Sequence, residues 1–158
     1  MRLDRVLTSY RIGDPQGQHP IYDATGSTLA PGRWNNSASP VIYTSEHYST
    51  AMLEKLVHAA GLMPPRQYFI SITIPNGIVY EMVTHDTHPG WHEADCSIAK
   101  AAGDQWIAER RSAVLIVPSV VARMERNILI NPAHPEASGI TTTLPQPIWW
   151  DSRLFSAS

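Results

Sequence analysis

Apolar and polar positions alternate most cleanly in YFISITI, residues 68–74. Tyr68, Ile70, Ile72 and Ile74 fall on one face and Phe69, Ser71 and Thr73 on the other, the period of a half-buried strand. Residues 7–12 read as an earlier short strand ended by GDPQG, and PVIYTS, residues 40–45, as a second. Pro40 suits a first strand position, where a missing amide donor is tolerated. Val41 and Tyr43 then point to one face, Ile42 and Thr44 to the other. The period changes after Ser49 and Thr50, either of which can cap a helix. Met52, Leu53, Leu56, Val57 and Ala60 recur at helical spacing, with Gly61 as a stop and Pro64 and Pro65 beyond. This predicts an amphipathic helix that packs its stripe on the sheet, with Glu54 at the stripe's border one turn before His58.

Farther along, PNG at 75–77 marks a turn and IVYEM a strand, while THDTHPGWHEAD reads as loop. Residues 98–111 form a second helical segment, weakened by Gly103. AVLIVPSVV, residues 113–121, is an apolar strand interrupted by Pro118, which marks an edge, bulge or strand end just before Ser119. NILINP adds a strand with Asn131 at its exit, and the tail ITTTLPQPIWWDSRLF has the propensity to cross back over the sheet. Residues 13–36 are rich in Gly, Pro, Asp and Ser and read mostly as loop, long enough to be mobile or to bind a ligand. This order predicts an α+β fold, a curved mixed or antiparallel sheet with flanking helices, rather than a regular βαβ alternation.

Composition narrows the function classes. A chain of 158 residues favours a single domain with a real core. Thirteen scattered prolines break it into short elements. The net charge of −2 and the lack of a basic run argue against general nucleic-acid binding. A single cysteine, Cys96, allows no intramolecular disulfide and fits the cytoplasm. The opening MRLDRVLTSYRIGD lacks a signal-peptide stretch, and no run reaches the roughly 18 apolar residues of a membrane span.

The candidate chemistry starts at PGRWNN. Gly32 leaves room beside a ligand, and the Arg33 fork matches phosphate oxygens; alternatively Arg33 is a surface arginine packed beside Trp34. Glu54 can stabilise a positive transition state or be an exposed helical glutamate. Tyr43 can stack on a ligand or fill the core. Ser119 can bond a ligand or satisfy a bulge, and no GxSxG elbow surrounds it. His85, His88 and His92 have a spacing that could bring imidazoles together, but Pro89 and Gly90 break the pattern of a zinc helix, and a histidine-rich surface loop is favoured. Neither GxGxxG nor a P-loop motif occurs.

The block PGRWNNSASPVIYTSEHYSTAMLEKLVH resembles the first signature of RES-domain toxins, and DQWIAERRSAVLIVPSVVARMERNILINPAHP resembles the second. The terminal DSRLF is similar to the family's usual ending, so the resemblance runs from about Tyr10 to Phe155. It implies a fold like ADP-ribosyltransferase toxins and a type II toxin that degrades NAD+. The family arginine, glutamate and serine fall on Arg33, Glu54 and Ser119, the strand tyrosine on Tyr43, and a further arginine on Arg11. Asn131 matches the asparagine of the NP-H-P segment and is expected to hold the loop near Ser119, within the ligand-binding set. PGRWN stands where GGRWN is common, which changes loop stiffness and keeps the arginine.

The resemblance further implies NAD+ as substrate without a metal, and an Xre-like helix-turn-helix antitoxin. It also implies a toxin dimer within the complex, with DNA binding left to the antitoxin. The acceptor remains open between water, phosphate and a protein side chain, the last making the chain a protein ADP-ribosyltransferase. Two other readings compete: a binding module without catalysis, and an mRNA-cleaving toxin.

Overall fold

The structure, a computed structural model, describes residues 1–155. Among these residues eight strands form one sheet. They are β1 (Leu7–Gly13), β2 (Ile42–Ser45), β3 (Tyr68–Ile74), β4 (Tyr80–Met82), β5 (Val114–Pro118), β6 (Arg126–Ile130), β7 (Thr141–Thr142) and β8 (Gln146–Pro147). The order is β4-β5-β6-β2-β1-β3-β7, with β8 also on β3. Among the described residues only β4 and β5 pair in parallel; the other pairs are antiparallel. Among the described residues three α-helices flank the sheet: α1 (Thr25–Leu29), α2 (Tyr48–Leu56) and α3 (Ser97–Glu109). The mixed sheet with few helices is the α+β architecture expected from the order of elements.

The alternation in β3 holds in three dimensions. Ile70, Ile72 and Ile74 are buried in one apolar cluster with Ile42 of β2, Ile128 and Ile130 of β6, and Val114 and Ile116 of β5. Residues from both arms of the sheet can share one core only if the sheet curls around it. The opposite face of the central strands carries Leu115, Val117 and Leu129, covered by Ala99, Trp106 and Ile107 of α3. This double coverage explains why β5 reads as a continuous apolar run rather than an alternating one. The tail crosses back as its propensity implied, placing β7 and β8 on β3.

Three local expectations change. Within residues 13–36 the chain forms α1, a helix too short for periodicity to reveal. The second change is in α2, which starts at Tyr48 with His47 at the cap position and ends at Leu56, before Gly61. Its apolar stripe does not pack on the sheet: Leu53 is 41% and Val57 54% exposed. The helix buries Thr50 and Ala51 instead. Those residues share a face with Glu54 and His58 at helical spacing. Small side chains let this face approach β1 and β2 closely, and the approach turns Glu54 inward. The third change concerns Gly103, which is no simple weakness in α3. A Cβ there would stand 1.7 Å from the Trp34 carbonyl oxygen, so the glycine permits close contact between helix and loop.

Candidate active site

The site begins where the sheet splits. β1 and β2 pair only at Tyr10 and Ser45. Beyond that bridge the strands diverge, and the Arg11 side chain fills the gap. It donates from Nη1 to the Tyr43 carbonyl at 2.6 Å and from Nε to the Ile21 carbonyl at 2.6 Å. A side chain thus supplies the donor that a neighbouring strand would have given. Burial pushes the Arg11 pKa down, and nearby Asp23 partly opposes it. The opening leads into a cleft of about 750 Å³, bounded by α2, the Ala30–Trp34 loop and the end of β5.

Glu54 projects from α2 into this cleft. Its Oε1 accepts from Ser119 Oγ at 2.8 Å and from Asn127 Nδ2 at 2.8 Å. Ser45 Oγ donates to Asn127 Oδ1 at 2.8 Å, which orients the amide with its nitrogen toward Glu54. Glu54 Oε2 has no hydrogen-bond partner among the described residues. One carboxylate oxygen is therefore held and the other is available to the cleft. Ser119 is fully buried where the chain leaves β5, and its Oγ also accepts from Ala122 N at 3.1 Å. It serves its turn and Glu54 at once.

The opposite wall is the loop carrying Arg33. Asn35 organises it: Oδ1 accepts from Gly32 N at 2.8 Å and from the Tyr43 hydroxyl at 2.7 Å, and Nδ2 donates to Ser27, Asn36 and Ser39 carbonyls. The Tyr43 hydroxyl also accepts from Trp34 N at 3.0 Å. Burial raises the Tyr43 pKa well above its ordinary value. Tyr43 is therefore a neutral anchor whose ring lines the cleft. Gly32 sits against that ring, where a Cβ would come within 2.6 Å of Cζ. Lys100 Nζ donates to the Gly32 and Asn35 carbonyls at 2.6 and 3.0 Å. Trp34 is buried and stacks on Trp91 with ring centroids 6.2 Å apart. On this scaffold Arg33 donates from Nη1 to the Glu93 carbonyl at 2.8 Å and the Trp91 carbonyl at 3.2 Å. Both partners are neutral carbonyls, and among the described residues the guanidinium, which lines the cleft, makes no ion pair.

Arg11, Arg33, Tyr43 and Glu54 thus line one cavity, and Ser119 reaches it through Glu54. Asn131 does not join them. It lies past the opposite end of β6, roughly 13 Å of strand from Asn127. There it is fully buried, its Oδ1 accepting from Ala133 N at 3.0 Å and its Nδ2 donating to the Ile107 carbonyl at 3.4 Å. It secures the turn after β6 against α3 rather than the loop near Ser119. The histidine loop packs around Trp91: His85 meets that ring edge-on at 5.5 Å and bonds the Arg123 carbonyl at 2.9 Å. No group of three potential metal-binding side chains occurs among the described residues. Asn127, Asn35 and Lys100 were missed from sequence. The available signal was a polar residue opening an apolar strand, N-ILI, which marks Asn127 only once Glu54 is known to face it.

Comparison with known proteins gives the chain a family. The family model described as RES domain matches residues 8–151. The chain belongs to the RES domain family. A Sphingobium sp. (strain YBL2) protein named "Prs ADP-ribosylating toxin" is 34% identical over 134 residues, covering 82% of this chain and 83% of that protein. A "Toxin Res" from Photorhabdus laumondii is 28% identical over 152 residues, covering 94% and 97%. Among solved structures, the M. tuberculosis MbcT–MbcA toxin–antitoxin complex contains a chain of the same fold. The TM-score is 0.71 at 14% identity, covering 92% of this chain and 85% of that one. The signatures read from the sequence are those of the RES domain, and both border the cleft.

Proposed function

We propose that the protein is the toxin of a toxin–antitoxin pair and an enzyme that cleaves the nicotinamide–ribose bond of NAD+. The observation that carries this reading is the pairing of one fixed carboxylate, Glu54, with several cations in a single cleft. A dinucleotide has a diphosphate needing cations and a ribose that becomes positive as its glycosidic bond breaks. Nicotinamide leaves with the bonding electron pair as a neutral molecule, so the leaving group needs no proton. The reaction needs a preorganised anion near the ribose, which Glu54 Oε2 supplies. Ser119 and Asn127 hold Glu54 in place. Arg33, with Arg11, binds diphosphate oxygens. The Tyr43 ring forms the wall against which nicotinamide lies. An acceptor oxygen then bonds to the ribose carbon and releases its proton, giving ADP-ribose with water or its 1″-phosphate with inorganic phosphate.

A protein acceptor is the second reading, favoured by the name of the Sphingobium relative. An antitoxin partner, Xre-like by family resemblance, fits the complex in which the structural neighbour was solved. The test incubates purified protein with NAD+, with and without phosphate, and resolves the products. NAD+ consumption is expected, and Glu54→Gln should abolish turnover while retaining binding. Intact NAD+ at high protein concentration without antitoxin refutes the proposal. Label transferred from NAD+ to protein would select the second reading.

A further inference from the structure

Lys55 has no part in the reaction as derived. It follows Glu54 on α2, lines the same cleft and is half-buried. Its ammonium makes no hydrogen bond and no ion pair among the described residues. The other cleft cations differ: Arg11, Arg33 and Lys100 each donate to backbone carbonyls that fix their positions. Glu54 is the single carboxylate on the cleft wall among the described residues, and its Oε1 is already engaged.

Lys55 lines the cleft together with Arg11 of β1, the strand on which α2 packs. Burial and the Arg11 charge push its ammonium pKa down, while Asp14 partly opposes them. Asp14 itself is shared: its Oδ2 lies 3.5 Å from Arg66 Nε, and its Oδ1 accepts from Gln16 N at 2.9 Å. Two like charges in a half-buried wall repel each other until an anion arrives. An ammonium is a compact donor for a tetrahedral oxyanion, and a guanidinium adds planar donors beside it.

We propose that Lys55 and Arg11 form a phosphate-binding subsite where α2 meets β1. It takes either the diphosphate of the dinucleotide or free inorganic phosphate acting as acceptor. The inference deepens the NAD+ reading, but binding tests it without requiring turnover. The competing explanation is that Lys55 only complements the C-terminal end of α2, where a basic residue is favourable.

Wild type, Lys55→Gln and Lys55→Arg are titrated calorimetrically with ADP and with inorganic phosphate, and their thermal midpoints are compared. Loss of a charged hydrogen bond should weaken at least one of the two ligands by about tenfold or more in Lys55→Gln, and Lys55→Arg should recover most of that loss. Weakening of ADP alone assigns the subsite to the diphosphate. Weakening of phosphate alone assigns it to the acceptor, and an active enzyme should then shift its products from the 1″-phosphate to ADP-ribose. The proposal is overturned if both affinities stay within about twofold, or if wild type binds neither ligand. A lowered thermal midpoint with unchanged affinities would favour the helix-end role. Intact NAD+ with wild type would instead count against the enzymatic reading alone.

Discussion

Replacing Gly103 with alanine tests whether the Arg33 loop is held by close backbone contact with α3. On an exposed helix the change would stabilise by about 1 kcal/mol, because glycine is the poorer helix former. Here the new methyl would stand 1.7 Å from the Trp34 carbonyl oxygen and 2.7 Å from its carbonyl carbon. Both are backbone atoms and cannot rotate aside. Trp34 is pinned by its stack on Trp91 and by its amide, which donates to the Tyr43 hydroxyl, while Lys100 holds the Gly32 and Asn35 carbonyls on either side. Helix and loop must therefore separate by roughly 1.3 Å to reach even the tightest contact that real Cβ atoms show. Overpacking of this kind costs about 1–3 kcal/mol and occasionally more, and a rigid partner puts Gly103→Ala at the upper end. Net of the propensity gain, a loss of about 2 kcal/mol is expected, equivalent to about 4–8 °C in thermal midpoint for a chain this size. Gly26→Ala is the control: it lies in α1 with nothing within 4 Å of its added Cβ, and should be neutral or slightly stabilising. Urea and thermal unfolding measure both variants, and NAD+ titration reports whether the displaced loop weakens binding. A Gly103→Ala variant as stable as wild type would refute the packing argument.

Two further substitutions separate the cleft from its surroundings. Asn127→Ala removes one donor from Glu54 Oε1; kcat for NAD+ cleavage should fall about tenfold or more with KM within about twofold, since a charged hydrogen bond is worth about 1.5–3 kcal/mol. A rise in KM at constant kcat would move Asn127 from positioning the carboxylate to binding substrate. Asn131→Ala removes a fully buried side chain that ties the Ile107 carbonyl of α3 to the turn at Ala133, so stability should fall by about 1–3 kcal/mol with KM unchanged. A raised KM in a variant of normal stability would return Asn131 to the ligand-binding set.

What could be read from the sequence depended on the range of the determining interaction. The β3 alternation, the Pro118 strand end before Ser119 and the loop character around Arg33 are local, and each survives in the fold. For α2 the helical period was legible but the buried face was not. Periodicity assigns burial to the apolar stripe, yet Leu53 and Val57 remain largely exposed while Thr50 and Ala51 are covered. Two polar partners from distant segments, Asn127 of β6 and Ser119 just past β5, engage Glu54 on that covered face. Asn131 was misplaced for a related reason: the NP-H-P resemblance identifies a turn but not which end of a strand faces the cleft. Gly103 was read as a helix weakness because its contact partner, Trp34, lies far away in sequence.

Strand register brings these distant residues together. Tyr10 pairs with Ser45, Ser45 with Asn127, and Asn127 with Val117, so four strands contribute to one transverse row. Successive residues point to opposite faces, so Ser119 continues the direction of Val117 as the chain leaves β5. The Ser45–Asn127–Glu54–Ser119 hydrogen bonds follow this row. A one-residue slip of β6 would turn Asn127 to the other face and place a neighbour there, Arg126 or Ile128, neither of which can reproduce its paired donor and acceptor. The apolar core prevents that slip, because Ile128 and Ile130 would leave the cluster they share with Ile42, Val114 and Ile116. Burial of the β6 isoleucines therefore fixes the position of the asparagine that holds Glu54, linking the packing of the sheet directly to the geometry of the cleft.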